Sequence, residues 1–78
     1  MNKSIQYHHW VEWSDEDQAF IGFCTDLFMG GACHGSDEAK VYARLVKVIR
    51  EEIQDLVASR RPMPPATVRP MRELSAVV

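Results

Sequence analysis

One stretch of the chain, residues 39 to 58, limits the fold more than any other because it contains neither glycine nor proline. Its apolar residues recur at three- and four-residue steps, a spacing that places them along one side of an α-helix. They are Ala39, Tyr42, Val46, Ile49, Ile53 and Leu56, with Val41, Leu45 and Val48 widening the face. The sequence therefore predicts a long amphipathic helix that buries one side.

Both ends of this helix carry the expected signals. Ser36 is expected to cap the amino end, and Asp37 and Glu38 place negative charge in the first turn, where the helix dipole favours it. Prolines at positions 62, 64 and 65 follow the carboxyl end and prevent the helix from continuing. The helix is thus bounded on both sides.

Two β-favouring segments precede the helix. Residues 5 to 13 and 19 to 24 are rich in aromatic and β-branched side chains, and residues 14 to 18 between them have turn chemistry, which predicts a β-hairpin. Residues 32 to 34 predict a short third strand, and the tail adds either an edge strand or a linker. We therefore predict an α+β fold, in which an antiparallel sheet of three to four strands packs one face against one long helix.

The hairpin predicts which side chains share a face of the sheet. A five-residue loop would pair Trp13 with Ala19 and leave Trp10 and Phe20 on the side away from the helix. One interpretation is that Trp10 covers the bare backbone of Gly22; another is that Trp10 and Phe20 belong to a protein-binding patch. A one-residue shift in register would exchange the faces.

Composition narrows the class of protein. With 78 residues, 46% of them apolar, the chain is long enough for one small domain with a thin core. Nine basic and eleven acidic residues do not form the basic surface that nucleic-acid binding needs. We see no apolar leader, no apolar stretch long enough to span a membrane, and two cysteines that form no disulfide framework. We therefore expect a cytoplasmic protein that binds neither membrane nor nucleic acid directly.

The residues that most often carry chemistry lack the necessary spacing. His8, His9, His34, Cys24 and Cys33 show none of the pairings that zinc sites use, and no nucleophile–base arrangement is evident. The acidic run at positions 15 to 17 is typical of a solvated turn, and the glycines at 30 and 31 lack the lysine of a phosphate loop. We expect no enzyme activity, no metal and no cofactor.

Several short strings, taken in order, resemble the HicB family of antitoxins. They are Trp-Ser-Asp-Glu-Asp-Gln at 13 to 18 before a Phe-Ile-Gly strand, Asp-Leu at 26 and 27, Gly-Gly at 30 and 31, His-Gly-Ser-Asp-Glu at 34 to 38, and Arg-Pro-Met-Pro-Pro-Ala-Thr at 61 to 67. The resemblance implies a β-β-β-α-β domain of a partial, catalytically inactive RNase H-like type over residues 1 to 66. Residues 67 to 78 then form a short tail, without room for the DNA-binding domain that many family members carry.

The resemblance also implies a partner, a small basic HicA-type toxin that cleaves mRNA and is neutralised by direct binding. From the hairpin and loop composition we expect Trp10, Phe20, Phe28 and Met29 to be apolar contacts. Steering charges towards a basic partner are expected from Asp15, Glu16 and Asp17. The alternative is an orphan structural or oligomerisation module with no toxin, which self-associates through Val41, Leu45 and Val48. Homo-oligomers are compatible with both.

Overall fold

The computed structural model describes residues 5–67. Three strands, β1 (Trp10–Ser14), β2 (Ala19–Phe23) and β3 (Gly31–Gly35), are followed by one helix, α1 (Glu38–Ala58). The strands form an antiparallel sheet in the order β1-β2-β3. This confirms the expected α+β class and the β-β-β-α order. The fourth strand expected in the tail, and nearly all of the tail itself, lie outside the described residues.

The register of the hairpin differs by one residue from the expected one. Ser14 pairs with Ala19 and Trp13 with Phe20, so four residues form the loop instead of five. The last of them, Gln18, takes the left-handed backbone conformation with φ 53°, which closes the shorter loop. Because side chains alternate along a strand, this shift exchanges the two faces of β2 while leaving those of β1 as expected.

The helix packs across one face of the sheet and forms the core with it. Its buried residues are Val41, Leu45, Ile49 and Leu56. Leu45 and Ile49 form the central cluster with Ile5 and Tyr7, which precede β1, and Cys24, which follows β2. Burying an aliphatic side chain of this size contributes roughly 1.5–3 kcal/mol. Two residues expected on the buried face, Ala39 and Tyr42, are exposed instead. In the described part of the chain, α1 is not apolar enough to cross a membrane.

The ends of α1 are set by specific hydrogen bonds. At the amino end Asp37, not Ser36, is the cap, because its carboxylate accepts a hydrogen bond of 3.0 Å from the backbone N–H of Lys40. At the carboxyl end the Arg61 N–H donates to Leu56 O and the Arg60 N–H to Val57 O. Arg60 has φ 59°, so these bonds form a Schellman motif that ends the helix before the prolines.

Residues 62–67, which we call the return segment, bring the chain back to its beginning. The Tyr7 hydroxyl donates a 2.6 Å hydrogen bond to Pro64 O. Asp26 accepts two hydrogen bonds from Thr67, one from the backbone N–H at 3.0 Å and one from the hydroxyl at 2.7 Å. These contacts fix the return segment against the start of the chain and the loop after β2.

Candidate functional site

Among residues 5–67, no helix or second sheet covers the side of the sheet opposite α1. We call it the open face, and define it by Trp10, Glu12, Ile21, Phe23 and His34. Its members follow from the register, in which Trp10 pairs with Phe23, Glu12 with Ile21, and Ile21 with His34. Partners in a ladder point to the same side of a sheet. Its apolar members, Trp10, Ile21 and Phe23, are half-buried, whereas Glu12 and His34 are exposed.

Glycines identify which side is which. A Cβ placed on Gly22 would lie 3.0 Å from Cys33 Sγ and 3.3 Å from Leu45, so the Gly22 side faces the helix. A Cβ on Gly31 would instead meet Ile21 Cγ2 at 2.7 Å. Because Ile21 precedes Gly22 in the strand, its side chain points the other way. The open face is thus assigned by two independent contacts.

A stack of three rings crosses the open face. The centroids of His8 and Trp10 are 5.0 Å apart with planes inclined at 27°, and those of Trp10 and Phe23 are 5.3 Å apart at 20°. Cross-strand aromatic pairs of this kind stabilise a sheet by up to about 1 kcal/mol. The stack leaves Trp10 half-buried and limits its freedom to move.

Beside the stack lies a shallow depression of about 400 Å³. Its floor includes the apolar side chains of Ile21 and Phe23, and its rim includes the acidic residues Glu12 and Asp17. The Trp10 Nε1–H donates a 2.8 Å hydrogen bond to Glu12 Oε1, and the Ser14 hydroxyl donates to Asp17 Oδ2 at 3.1 Å. Both carboxylates are thus held in place while keeping acceptor capacity for another group.

Charge is divided between the two layers of the molecule. Residues 5 to 39 contain seven acidic residues and no lysine or arginine. Residues 40 to 67 contain six basic residues, Lys40, Arg44, Lys47, Arg50, Arg60 and Arg61, against three acidic ones. Since α1 begins at Glu38, the sheet and its loops, residues 5 to 37, carry six acidic residues and no lysine or arginine, whereas residues 38 to 67, which include α1 and the return segment, carry six basic residues against four acidic ones.

The structure separates the four expected apolar contact residues. Trp10 lies on the open face, whereas Phe20 lies on the helix side, where it contacts Trp13 edge-on with ring centroids 5.0 Å apart. Phe28 packs against the core, and Met29 is fully exposed on the loop before β3. The expected placement of Trp10 and Phe20 on one face is therefore wrong, because the register shift turns Phe20 towards α1.

The three acidic residues of the hairpin loop are exposed, as steering charges must be. Asp15 accepts a 2.8 Å hydrogen bond from the Trp13 Nε1–H, and Asp17 also belongs to the rim of the depression. Glu16 is the third member and is likewise exposed. Asp17 thus borders the open face, whereas Asp15 is bonded to Trp13, which lies on the helix side.

The expected self-association surface on α1 is largely buried within the monomer. Leu45 is completely buried and Val41 is 3% exposed, while Val48 is partly buried. The first two side chains pack under the sheet and cannot contact a second copy in the folded chain. The sequence placed them at the margin of the apolar face, whereas they form its centre.

Ile21, Phe23 and His34 are open-face residues that sequence reasoning did not select. The expected register directed Ile21 and Phe23 towards the helix, so they were assigned to the core. A usable signal existed in Gly22, since a strand residue without a side chain marks the place where a helix approaches closely. The absence of Lys and Arg over residues 5 to 39 was a second signal.

The surroundings of Cys24, Cys33 and His9 are those of packed or hydrogen-bonded side chains. Burial raises the pKa of the Cys24 and Cys33 thiols, the opposite of the change that activates a nucleophile. His9 Nδ1 donates to Tyr7 O at 2.7 Å, since a carbonyl only accepts, and its Nε2 lies 3.1 Å from the Tyr42 hydroxyl. Among residues 5–67, no three His, Cys, Asp or Glu side chains are placed to hold a metal ion.

A second concavity, a groove of about 680 Å³, lies between α1, the start of the chain and the return segment. Ile5, Ile53, Met63 and Pro64 contribute its apolar surface, and Arg50 lies at its edge. Tyr7 and Pro64, which are joined by a hydrogen bond, both line the groove. The groove lacks the acidic surroundings that distinguish the open face.

Comparison of the chain with protein-family models, curated proteins and solved structures gave no match.

Proposed function

We propose that this chain is a cytoplasmic protein-binding domain that acts as an antitoxin of the HicB type. Its partner would be a small, basic, mRNA-cleaving toxin of the HicA type, neutralised by direct binding. The chain itself would neither cleave RNA nor bind DNA. The observation that carries the proposal is the open face, where an aromatic stack is bordered by carboxylates.

Two physical features support a protein partner. Aromatic residues are the side chains most enriched at the energetic centres of protein interfaces, and Trp10 and Phe23 form a pre-ordered aromatic pair. The acidic sheet layer would accelerate encounter with a basic protein and would disfavour binding to nucleic acid directly. The ordered strings that resemble HicB antitoxins supply the specific partner class.

Co-expression with the small open reading frame beside the gene tests the proposal. If the neighbour encodes the toxin, it arrests growth when expressed alone, and this chain restores growth and co-purifies with it. A harmless neighbour, or a toxic one that this chain neither binds nor neutralises, would contradict the antitoxin function.

The two tryptophans of β1 provide a matched pair for locating the interface. Trp10 lies on the open face and Trp13, 46% exposed, lies on the helix side. Trp10→Ala is expected to weaken toxin binding by at least tenfold, in the range of an interface hot spot, whereas Trp13→Ala leaves it within about twofold. Equal losses in the two variants would place the interface elsewhere, and circular dichroism checks that both remain folded.

A second candidate is an oligomerisation module with no toxin. It is favoured by the position of β3, which pairs with β2 alone among the described strands and so has one edge available to another strand. Sedimentation of the purified chain tests this, and a dimer that forms as the concentration rises would support it. A monomer at all concentrations would contradict it.

A further inference from the structure

The open face has the chemistry to receive one particular kind of side chain. An arginine is apolar along its stem and carries a planar cationic head with five N–H donors. The depression offers the same two properties in complementary form, with Ile21 and Phe23 on its floor and the carboxylates of Glu12 and Asp17 on its rim. A stem would lie on the apolar floor while the head reached the rim.

The rim carboxylates are ordered before any partner arrives. One oxygen of Glu12 is occupied by the Trp10 Nε1–H, which leaves the second oxygen for a new donor. Asp17 is fixed by Ser14 in both directions, since the Ser14 hydroxyl donates to its carboxylate and accepts from its backbone N–H at 3.2 Å. Side chains that are already fixed lose little entropy on binding, which favours association.

Among residues 5–67, the open face carries no lysine or arginine. None occurs in residues 5 to 39, and Lys40 and Arg44 on α1 line a different concavity, which His34 also borders. The acidic rim is therefore complementary to a cation supplied from outside.

We propose that the open face is a docking surface for a protein partner that inserts an arginine side chain into the depression between Glu12 and Asp17. The guanidinium head donates to both carboxylates, a geometry that its planar fork allows and that the compact ammonium group of lysine does not reproduce. This inference rests on the proposed function and deepens it, because it names the side-chain chemistry with which a basic partner is recognised.

The test is a titration of the ¹⁵N-labelled chain with short capped peptides, followed by its backbone amide resonances. The probe is a glycine-spaced peptide with two arginines, and the matched peptides replace arginine by citrulline, lysine or leucine. We expect the arginine peptide to shift the resonances of Glu12, Ile21 and His34 at millimolar concentrations. The citrulline peptide, of nearly identical shape but uncharged, is expected to bind at least about fivefold more weakly.

Two variants of the chain separate a local site from general attraction. Glu12→Gln removes one rim charge and keeps the hydrogen bond from Trp10, so it is expected to weaken the arginine peptide about fivefold. Glu51→Gln removes the same charge from the exposed side of α1 and is expected to leave binding unchanged. Equal weakening in both variants would overturn the proposal, since net charge alone would then account for binding.

Other outcomes also decide the question. Leucine or citrulline peptides that bind as tightly as the arginine peptide would show an apolar docking surface without a cation site. No shifts on the open face would exclude an arginine site there. If the chain restores growth but its peptide titration shows no preference for arginine, the antitoxin function is supported and the arginine site is excluded. If the titration shows a preference for arginine but no toxin is neutralised, the arginine site is supported and the antitoxin function is excluded.

Discussion

Gly22 determines how closely α1 approaches the sheet. Gly22 is buried. A Cβ added to it would lie 3.0 Å from Cys33 Sγ and 3.3 Å from two atoms of Leu45. Contacts this short are tighter than ordinary van der Waals packing. Because Gly22 has no side chain, the fully buried Leu45 can occupy the space beside its backbone.

Gly22→Ala is expected to lower the free energy of unfolding by about 1–3 kcal/mol, because an added methyl group overfills this contact. Urea denaturation measures the change. The double variant Gly22→Ala with Cys33→Ala removes the nearest sulfur atom, so it should be less destabilised than the two single changes added together. Simple additivity would show that Cys33 does not cause the strain.

At the scale of elements, the sequence predicts the extent of α1 but not the residue that caps its amino end. The helix itself was predictable, since its apolar spacing extends over five turns and no competing pattern exists. The cap at Asp37 was missed by one residue, because Ser36 and Asp37 have equal capping ability and the choice depends on the strand that precedes them.

The register of β1 against β2 was not predictable from local sequence. Loops of four and five residues suit the polar run at 14 to 18 equally, and the choice depends on Gln18 adopting a left-handed conformation and on Ser14 bonding to Asp17. That single choice decides which face carries Ile21 and Phe23. The candidate site therefore depended on a hydrogen-bonding detail, whereas the fold class depended on repeated patterns.

The Schellman motif at the end of α1 leads to a prediction at this scale. Arg60 occupies the left-handed position usually taken by glycine, at a cost of about 1 kcal/mol. Arg60→Gly is therefore expected to stabilise the protein by roughly that amount in urea denaturation, while Arg60→Ala, which also removes the charge but keeps Cβ, is not. A gain in both variants would assign the effect to charge.

At the scale of the whole molecule, Tyr7, Cys24 and Cys33 make the stability of the fold depend on pH. Burial raises the pKa of Tyr7 above its ordinary value of 10.0 and those of Cys24 and Cys33 above 9.0. The folded chain therefore holds these protons more tightly than the unfolded chain. Their contribution to stability is complete below about pH 8 and is lost as the pH rises through the ordinary values towards the raised ones.

The urea midpoint is accordingly expected to be constant from about pH 7 to 8 and to fall above about pH 8.5. Cys24→Ala, which removes the completely buried thiol, should lower the midpoint at neutral pH and make its decline at alkaline pH less steep. A wild-type midpoint that stays constant to about pH 10.5 would contradict the assignment.

The return segment has a consequence for how the protein is made. Tyr7 contacts Pro64, 57 positions later, and Asp26 contacts Thr67, 41 positions later. A ribosome synthesises from the amino end, so the sheet emerges first with the side meant for α1 still bare. The two hydrogen bonds between Asp26 and Thr67 cannot form until Thr67 has left the exit tunnel. During translation the helix side of the sheet is therefore exposed, and α1 covers most of it only after the helix has been made.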